Sequence, residues 1–208
     1  MKITTIIVTR TKACSIKTLH SILRLNIVCI QKGIQNNIVY VNDDPYEKTE
    51  MIQNYMKNTD RIIFIDFGVG LDNGSLEQCV EPHENVGCLV FPGVKEGVDW
   101  TLFKEKIQND SKEPIEQMGM HFDTEVHNKI SENIYNVTRT SAKAWMMNTK
   151  NVIKSQSKCK DKKLSNKLFD KLKQQDVRIY AYTASKLTMT YTHECMSSIV
   201  NASGVKVN

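Results

Sequence analysis

Carboxylates recur in this chain where strands should end. Asp43 and Asp44 follow the apolar run NIVYV by one residue, and Asp66 directly follows RIIFI. Burying an unpaired charge is costly, so an acid that closes a strongly hydrophobic strand belongs where its charge is used or solvated. Carboxylate oxygens suit Mg²⁺ or Mn²⁺, and Mn²⁺ also accepts an imidazole. Carboxylates alone would repel a phosphate. A divalent cation between them reverses that interaction and can neutralise a departing diphosphate.

The elements around these acids can be read from periodicity. Residues 3–9, ITTIIVT, form a β-branched strand ending at Thr9 and Arg10. Ser15 is a candidate N-cap for a helix that carries Ile16, Leu19, Ile22 and Leu23 on one face and runs towards Gly33. A second strand spans 37–41, a short helix 46–57 and a third strand 61–65. Gly68, Gly70 and Asn73-Gly74 then mark turns, before a helical turn over 75–80 and a strand over 86–91 closed by Pro92-Gly93.

Strands alternating with helices at this spacing predict an α/β domain with a mixed, mainly parallel central sheet flanked by helices. In such sheets ligands bind outside the carboxyl ends of the strands. Thr9, Arg10, Asp43, Asp44 and Asp66 are therefore expected to converge on one crevice. The bland alternative for Asp66 is a helix cap or a salt-bridged loop residue.

The second half is less regular. Residues 105–116 read as a polar loop, and 137–147, VTRTSAKAWMM, as a strand holding a buried Trp145. Leu164, Leu168 and Leu172 recur every four residues, which predicts an amphipathic helix over 160–175. Strands are expected over 177–182 and 187–192, the latter ending at His193. No repeat, low-complexity tract or linker divides the 208 residues, so the expectation is one domain.

A hydrophobic fraction of 40% and a charged fraction of 25% are those of a soluble globular protein. No apolar run reaches 18 residues, so no transmembrane segment is expected. MKITTIIVTR lacks a cleavage site and reads as a first strand rather than a signal peptide. The six cysteines form no CxxC pair and read as the reduced thiols of a cytoplasmic protein. The net charge of +5 is densest in lysines between 158 and 173, a solvated helix face, and no zinc-finger spacing or aromatic RNA-binding signature points to nucleic acid. There is no GxxxxGK[ST] loop, and GVG at 68–70 is not GxGxxG, which counts against a P-loop kinase or an NAD-dependent dehydrogenase.

The order of these features resembles a GT-A glycosyltransferase. In that family a hydrophobic strand ending Asp-x-Asp precedes a Ser/Thr-Leu helix start, and FIDFGVGLDNGSL has this shape, with Gly68 where the second acid is expected. The resemblance implies a donor site lined by Thr9, Arg10, Asp43, Asp44, Asp66 and Gly68. It implies Mn²⁺ (or Mg²⁺) on Asp66 and His193, with Asp72 reaching it through water. Asp161, ahead of the leucine helix, would be the catalytic base of an inverting transfer. Asp99 is a second candidate, beside Trp100 as a platform for a sugar ring, and Lys95 and Arg139 could touch the diphosphate. Residues 1–92 would bind the nucleotide, and 93–208 would hold the acceptor and catalytic groups.

FPGVKEGVDW and TYTHECM look most like the compact glycosyltransferases encoded by large DNA viruses of algae. That narrower resemblance implies a UDP-sugar donor such as UDP-glucose or UDP-rhamnose, a glycan acceptor on a viral capsid glycoprotein, and a place in the host cytoplasm. A sugar nucleotidyltransferase, a non-catalytic nucleotide- or glycan-binding module, and a GT-A domain that has lost its metal through Gly68 remain as alternatives.

Overall fold

The structure, a computed structural model, describes residues 1–94, 98–112, 115, 118–185 and the backbone of 188–189. Its elements run β1 (Lys2–Thr9), α1 (Ile16–Gln31), β2 (Gln35–Asn42), α2 (Pro45–Tyr55), β3 (Arg61–Ile65), β4 (Val69–Gly70), α3 (Asn73–Val80) and β5 (Cys88–Phe91). There follow α4 (Trp100–Gln108), β6 (Thr124–Ser131), β7 (Ile134–Thr140), β8 (Ala144–Asn148), α5 (Thr149–Gln156), α6 (Leu168–Gln174), β9 (Ile179–Tyr182) and β10 (Thr188–Met189).

Eight strands form one sheet in the order β2-β1-β3-β8-β5-β9-β7-β6. β2, β1 and β3 are mutually parallel, as are β5 and β9, while β8 runs antiparallel between β3 and β5. β7 and β6 complete the sheet as an antiparallel hairpin beside β9. β4 and β10 form a separate two-stranded piece.

All five residues of β3 are buried, because both faces of the sheet are covered. Ile62 and Phe64 enter a core with Ile52 of α2, Trp145 and Leu172 of α6. Ile63 and Ile65 point the other way, among Leu25 of α1, Leu76 of α3 and Met146. Helices α1 and α2 therefore lie on opposite faces. The chain leaves β1 for a strand on one side and continues to a strand on the other, so a switch point opens between the carboxyl ends of β1 and β3.

Several expectations are corrected. The span 137–147 is not one strand: it breaks at residues 141–143, and β7 and β8 take distant places in the sheet. The helix expected over 160–175 is confined to Leu168–Gln174. Leu164 is still buried, but irregular chain delivers it, with its N–H donating to Gln53 Oε1. The polar stretch from 105 is partly helical, since α4 reaches Gln108. The exposed strand β6, TEVHNKIS, has no apolar alternation and gave no sequence signal. Of the strand expected over 187–192, Thr188–Met189 is seen, and His193 lies outside the described residues. Among the described residues no helix is long and apolar enough to cross a membrane, and the five cysteines are free.

Candidate functional site

The carboxyl ends of the three parallel strands are tied together by side chains. Asp43 N donates to Thr9 O, and Thr9 Oγ1 donates to Val41 O, which fixes the end of β1 to that of β2. Arg10 Nε then reaches Asp43 Oδ2 at 2.7 Å, while its guanidinium lies 5.0 Å from the centre of the Phe67 ring, just past β3. Lys48, one turn into α2, grips the other Asp43 oxygen at 2.7 Å. These two cations hold the Asp43 carboxyl below the usual range, the hydrogen bond from Lys48 contributing most.

Asp44 has a different task. Its carboxylate accepts from Tyr46 N and Glu47 N and caps α2, with Pro45 at the first helical position. Asp44→Ala is expected to cost about 1 kcal/mol, read as a fall of roughly 2–4 °C in melting temperature. Asp72 likewise caps α3 through Ser75 N.

Asp66 stands at the switch point. Its N–H donates to Lys143 O at the start of β8, and among the described residues its carboxylate accepts from Phe67 N at 2.9 Å and makes no ion pair. The residue is half-buried. Burial pushes its pKa up and Asp43 adds to that, while the Phe67 N–H, Lys48 and Lys143 act against it. A carboxylate kept in this state holds a proton more firmly than a solvated one and gains by exchanging it for a metal cation.

Gly68 adopts φ +78°, the left-handed conformation that glycine tolerates best, and so turns the chain from β3 into β4. The position where a second acid was expected is thus a tight, buried turn. Among the described residues no three His, Cys, Asp or Glu side chains converge as a cation site. With Asp43 tied to two cations, Asp66 is the crevice carboxylate whose chemistry fits a hard divalent ion.

Of the cavities that flank α2, two reach residues of the central sheet. One, of about 510 Å³, includes Thr9, Tyr40, Asn42 and Met51 in its lining. The other, of about 610 Å³, lies over the aromatic end of the core, with Lys48, Phe64, Trp145, Phe169, Arg139 and Asp170 in its wall. The two sides of α2 separate them: Glu47 and Met51 face the first, Lys48 and Ile52 the second.

The base candidates from the sequence lie elsewhere. Asp161 is exposed, pairs with Lys171 Nζ at 2.5 Å and accepts from Lys163 N, and that lysine pair lowers its pKa. Asp99 caps α4 and pairs with His121 Nε2 at 2.9 Å, which lowers its pKa as well. Neither lines either cavity. Trp100 is 44% exposed at the start of α4, whereas Trp145 is buried as expected. Arg139 lines the larger cavity, and Lys95 lies outside the described residues.

Sequence reasoning missed Lys48 and Asp170. Lys48 could have been found from its place one turn after a capped helix start that follows two acids. Asp170 was hidden because the helix was expected to begin near Lys160, which leaves Asp170 in mid-helix instead of in the first turn of α6.

No protein-family model matches the chain, and no curated protein matches it in sequence. Solved structures do. GalNAc-T7 with UDP, GalNAc and Mn²⁺ superposes with a TM-score of 0.51 at 11% identity, over 91% of this chain and 44% of that one. A mutant Drosophila β1,4-galactosyltransferase 7 complexed with manganese, UDP-Gal and xylobiose gives 0.46 at 10% identity, over 92% of this chain and 68% of that one. The inositol-1-phosphate CTP transferase of T. maritima gives 0.39 at 10% identity, over 93% and 75%. This chain spans less than half the length of GalNAc-T7. At such identities the likeness is one of fold, and the fold is that of the GT-A glycosyltransferases: a mixed sheet flanked by helices, here with its switch point between β1 and β3.

Proposed function

We propose that the chain is a metal-dependent glycosyltransferase that moves a hexose from a UDP-sugar to a glycan acceptor, with inversion. The observation that carries this reading is Asp66. It is a half-buried carboxylate with raised proton affinity at the switch point of a GT-A fold, within electrostatic reach of Asp43, Lys48 and Lys143. It lines neither cavity itself, and Thr9 and Lys48 connect this cluster to the two cavities on either side of α2. The GalNAc-T7 structure, of like fold, holds UDP with Mn²⁺, which supports the same donor class here.

In this reading the 510 Å³ cavity takes the uridine. Thr9 and Asn42 offer hydrogen bonds to base or ribose, and the half-exposed Tyr40 ring offers a flat face. Arg10, Lys48 and Lys143 around Asp43 and Asp66 leave the crevice favourable to a diphosphate. Asp66 would hold Mn²⁺, with His193 as the proposed second ligand. The bound ion would supply positive charge against the diphosphate. The sugar and acceptor would occupy the larger cavity against Trp145 and Phe169. There Asp170, exposed in the first turn of α6, replaces Asp161 and Asp99 as the preferred base for the acceptor hydroxyl proton. UDP-glucose or UDP-rhamnose as donor, a capsid glycoprotein as acceptor and a cytoplasmic location rest on the sequence resemblance.

Turnover tests the reading. Incubation with UDP-sugars and Mn²⁺ is expected to release UDP, and chelation with EDTA to stop it. Asp170→Asn should lower the rate by about 10²-fold or more, the usual scale for losing a general base, while Asp161→Asn and Asp99→Asn stay within about twofold. Pyrophosphate release in place of UDP would identify a nucleotidyltransferase. Tight UDP binding without turnover of any UDP-sugar would identify a binding module.

A further inference from the structure

Helix α1 is apolar on two sides. Ile22, Leu25 and Cys29 face the core, as a surface helix requires. Its outer side nevertheless carries Ile16, Leu19, Leu23, Ile27 and Ile30, which are 85%, 42%, 54%, 55% and 77% exposed. At about 100° per residue these five fall within an arc of roughly 80°, a single row about 21 Å long. A row of five large aliphatic side chains makes a patch of several hundred Å², the size at which an exposed apolar surface marks an interaction site.

The composition and spacing of the row select the occupant. It contains no aromatic residue, whereas helices that lie in a membrane interface favour Trp and Phe there. Its steps of three and four residues are those of a helix–helix seam. The row is also symmetric about Leu23, with Ile16 and Ile30 equally distant from it, and Leu19 and Ile27 likewise. That is the property a self-pairing, isologous interface requires.

We propose that α1 packs antiparallel against α1 of a second copy of this chain, about a two-fold axis at Leu23. Ile16 then meets Ile30, Leu19 meets Ile27, and Leu23 meets itself. Because α1 runs from the crevice end of β1 towards the opposite edge, the two crevices face away from each other and both stay open. Arg24, next to the axis, falls on the same side of the seam as its counterpart. Repulsion between the two weakens as salt screens it, so the association strengthens with ionic strength.

Analytical ultracentrifugation of the full chain tests this. The expected result is a concentration-dependent dimer of the 23.8 kDa chain, with Kd falling between 0.05 and 0.5 M NaCl. Leu23→Glu, at an exposed position, should give a monomer whose circular dichroism and melting temperature match those of the parent. Leu19→Lys and Ile27→Glu should each weaken the dimer. The two combined should restore it, because the ammonium introduced by the first then faces the carboxylate introduced by the second on the other copy. A monomer at all concentrations to 0.2 mM would overturn the proposal, as would a dimer indifferent to Leu23→Glu. Cosedimentation of a monomeric chain with phosphatidylglycerol vesicles, lost in Leu23→Glu and weakened by salt, would overturn it too and give the face to a membrane.

Discussion

Asp66→Asn is expected to raise the melting temperature of the ligand-free protein and, in the same variant, to abolish stabilisation by UDP plus Mn²⁺. Burial raises the pKa of this carboxylate, and the neighbouring Asp43 charge raises it further. The folded state therefore binds the proton more tightly than the unfolded one. The penalty for holding the charge is fully present above the folded-state pKa and is relieved as pH falls through it. Asparagine is nearly isosteric, can still accept from Phe67 N, and carries no charge. Removing an unfavourable charge of this kind contributes about 1 kcal/mol, or roughly 2–4 °C for a chain of this length. The same substitution removes the hard anionic oxygen that a divalent cation needs. The parent chain should gain about 2.7 kcal/mol at a UDP concentration a hundred times Kd when Mn²⁺ is present, and that gain should shrink on acidification as the proton competes with the metal. Thermal shift with UDP, with and without Mn²⁺, reads all three effects. Persistence of the Mn²⁺-dependent shift in Asp66→Asn would sink the donor-site assignment, and a drop in the ligand-free melting temperature would sink the electrostatic account.

Apart from β4, which lay among turn signals and pairs with the distant β10, the first half of this fold was legible because its elements answer to local rules. β3 is apolar from Ile62 to Ile65 since both its faces are covered, and α2 follows a capped Asp44-Pro45 start. The second half answers to tertiary rules instead. Ser141, Ala142 and Lys143 look like strand residues in a strand-like run, yet the chain bends there so that β8 can insert antiparallel between β3 and β5. Leu164 fits a helical period but is buried from irregular chain, held by Gln53 of α2, a partner 111 residues away. The strand-end carboxylates could be located by the same local reasoning, but not their roles. Asp43, Asp44 and Asp66 differ only in their neighbours: two cations for the first, a helix N-terminus for the second, and burial for the third.

Trp145→Ala is expected to cost about 3–5 kcal/mol, enough to unfold much of the population at 37 °C given a typical total of about 5–15 kcal/mol. The indole is 2% exposed and stacks on Phe64 with centroids 4.9 Å apart and planes 4° from parallel. Phe169 of α6 meets it edge-on at 6.3 Å. Truncation leaves a void bounded by paired strands on one side and α6 on the other, which a β-ladder cannot close by collapsing. Urea denaturation followed by circular dichroism measures the loss. Trp145→Phe separates packing from function: it keeps an aromatic ring against Phe64 and should cost under about 1.5 kcal/mol. Its smaller ring also withdraws from the wall of the larger cavity, next to Phe169 and Asp170. If the acceptor binds there, Trp145→Phe should raise KM for the acceptor severalfold and KM for the UDP-sugar less, since in the proposed reading the donor would touch this cavity only through its sugar while its nucleoside would sit across α2. Equal effects on both constants would place the acceptor elsewhere and leave Trp145 as core alone.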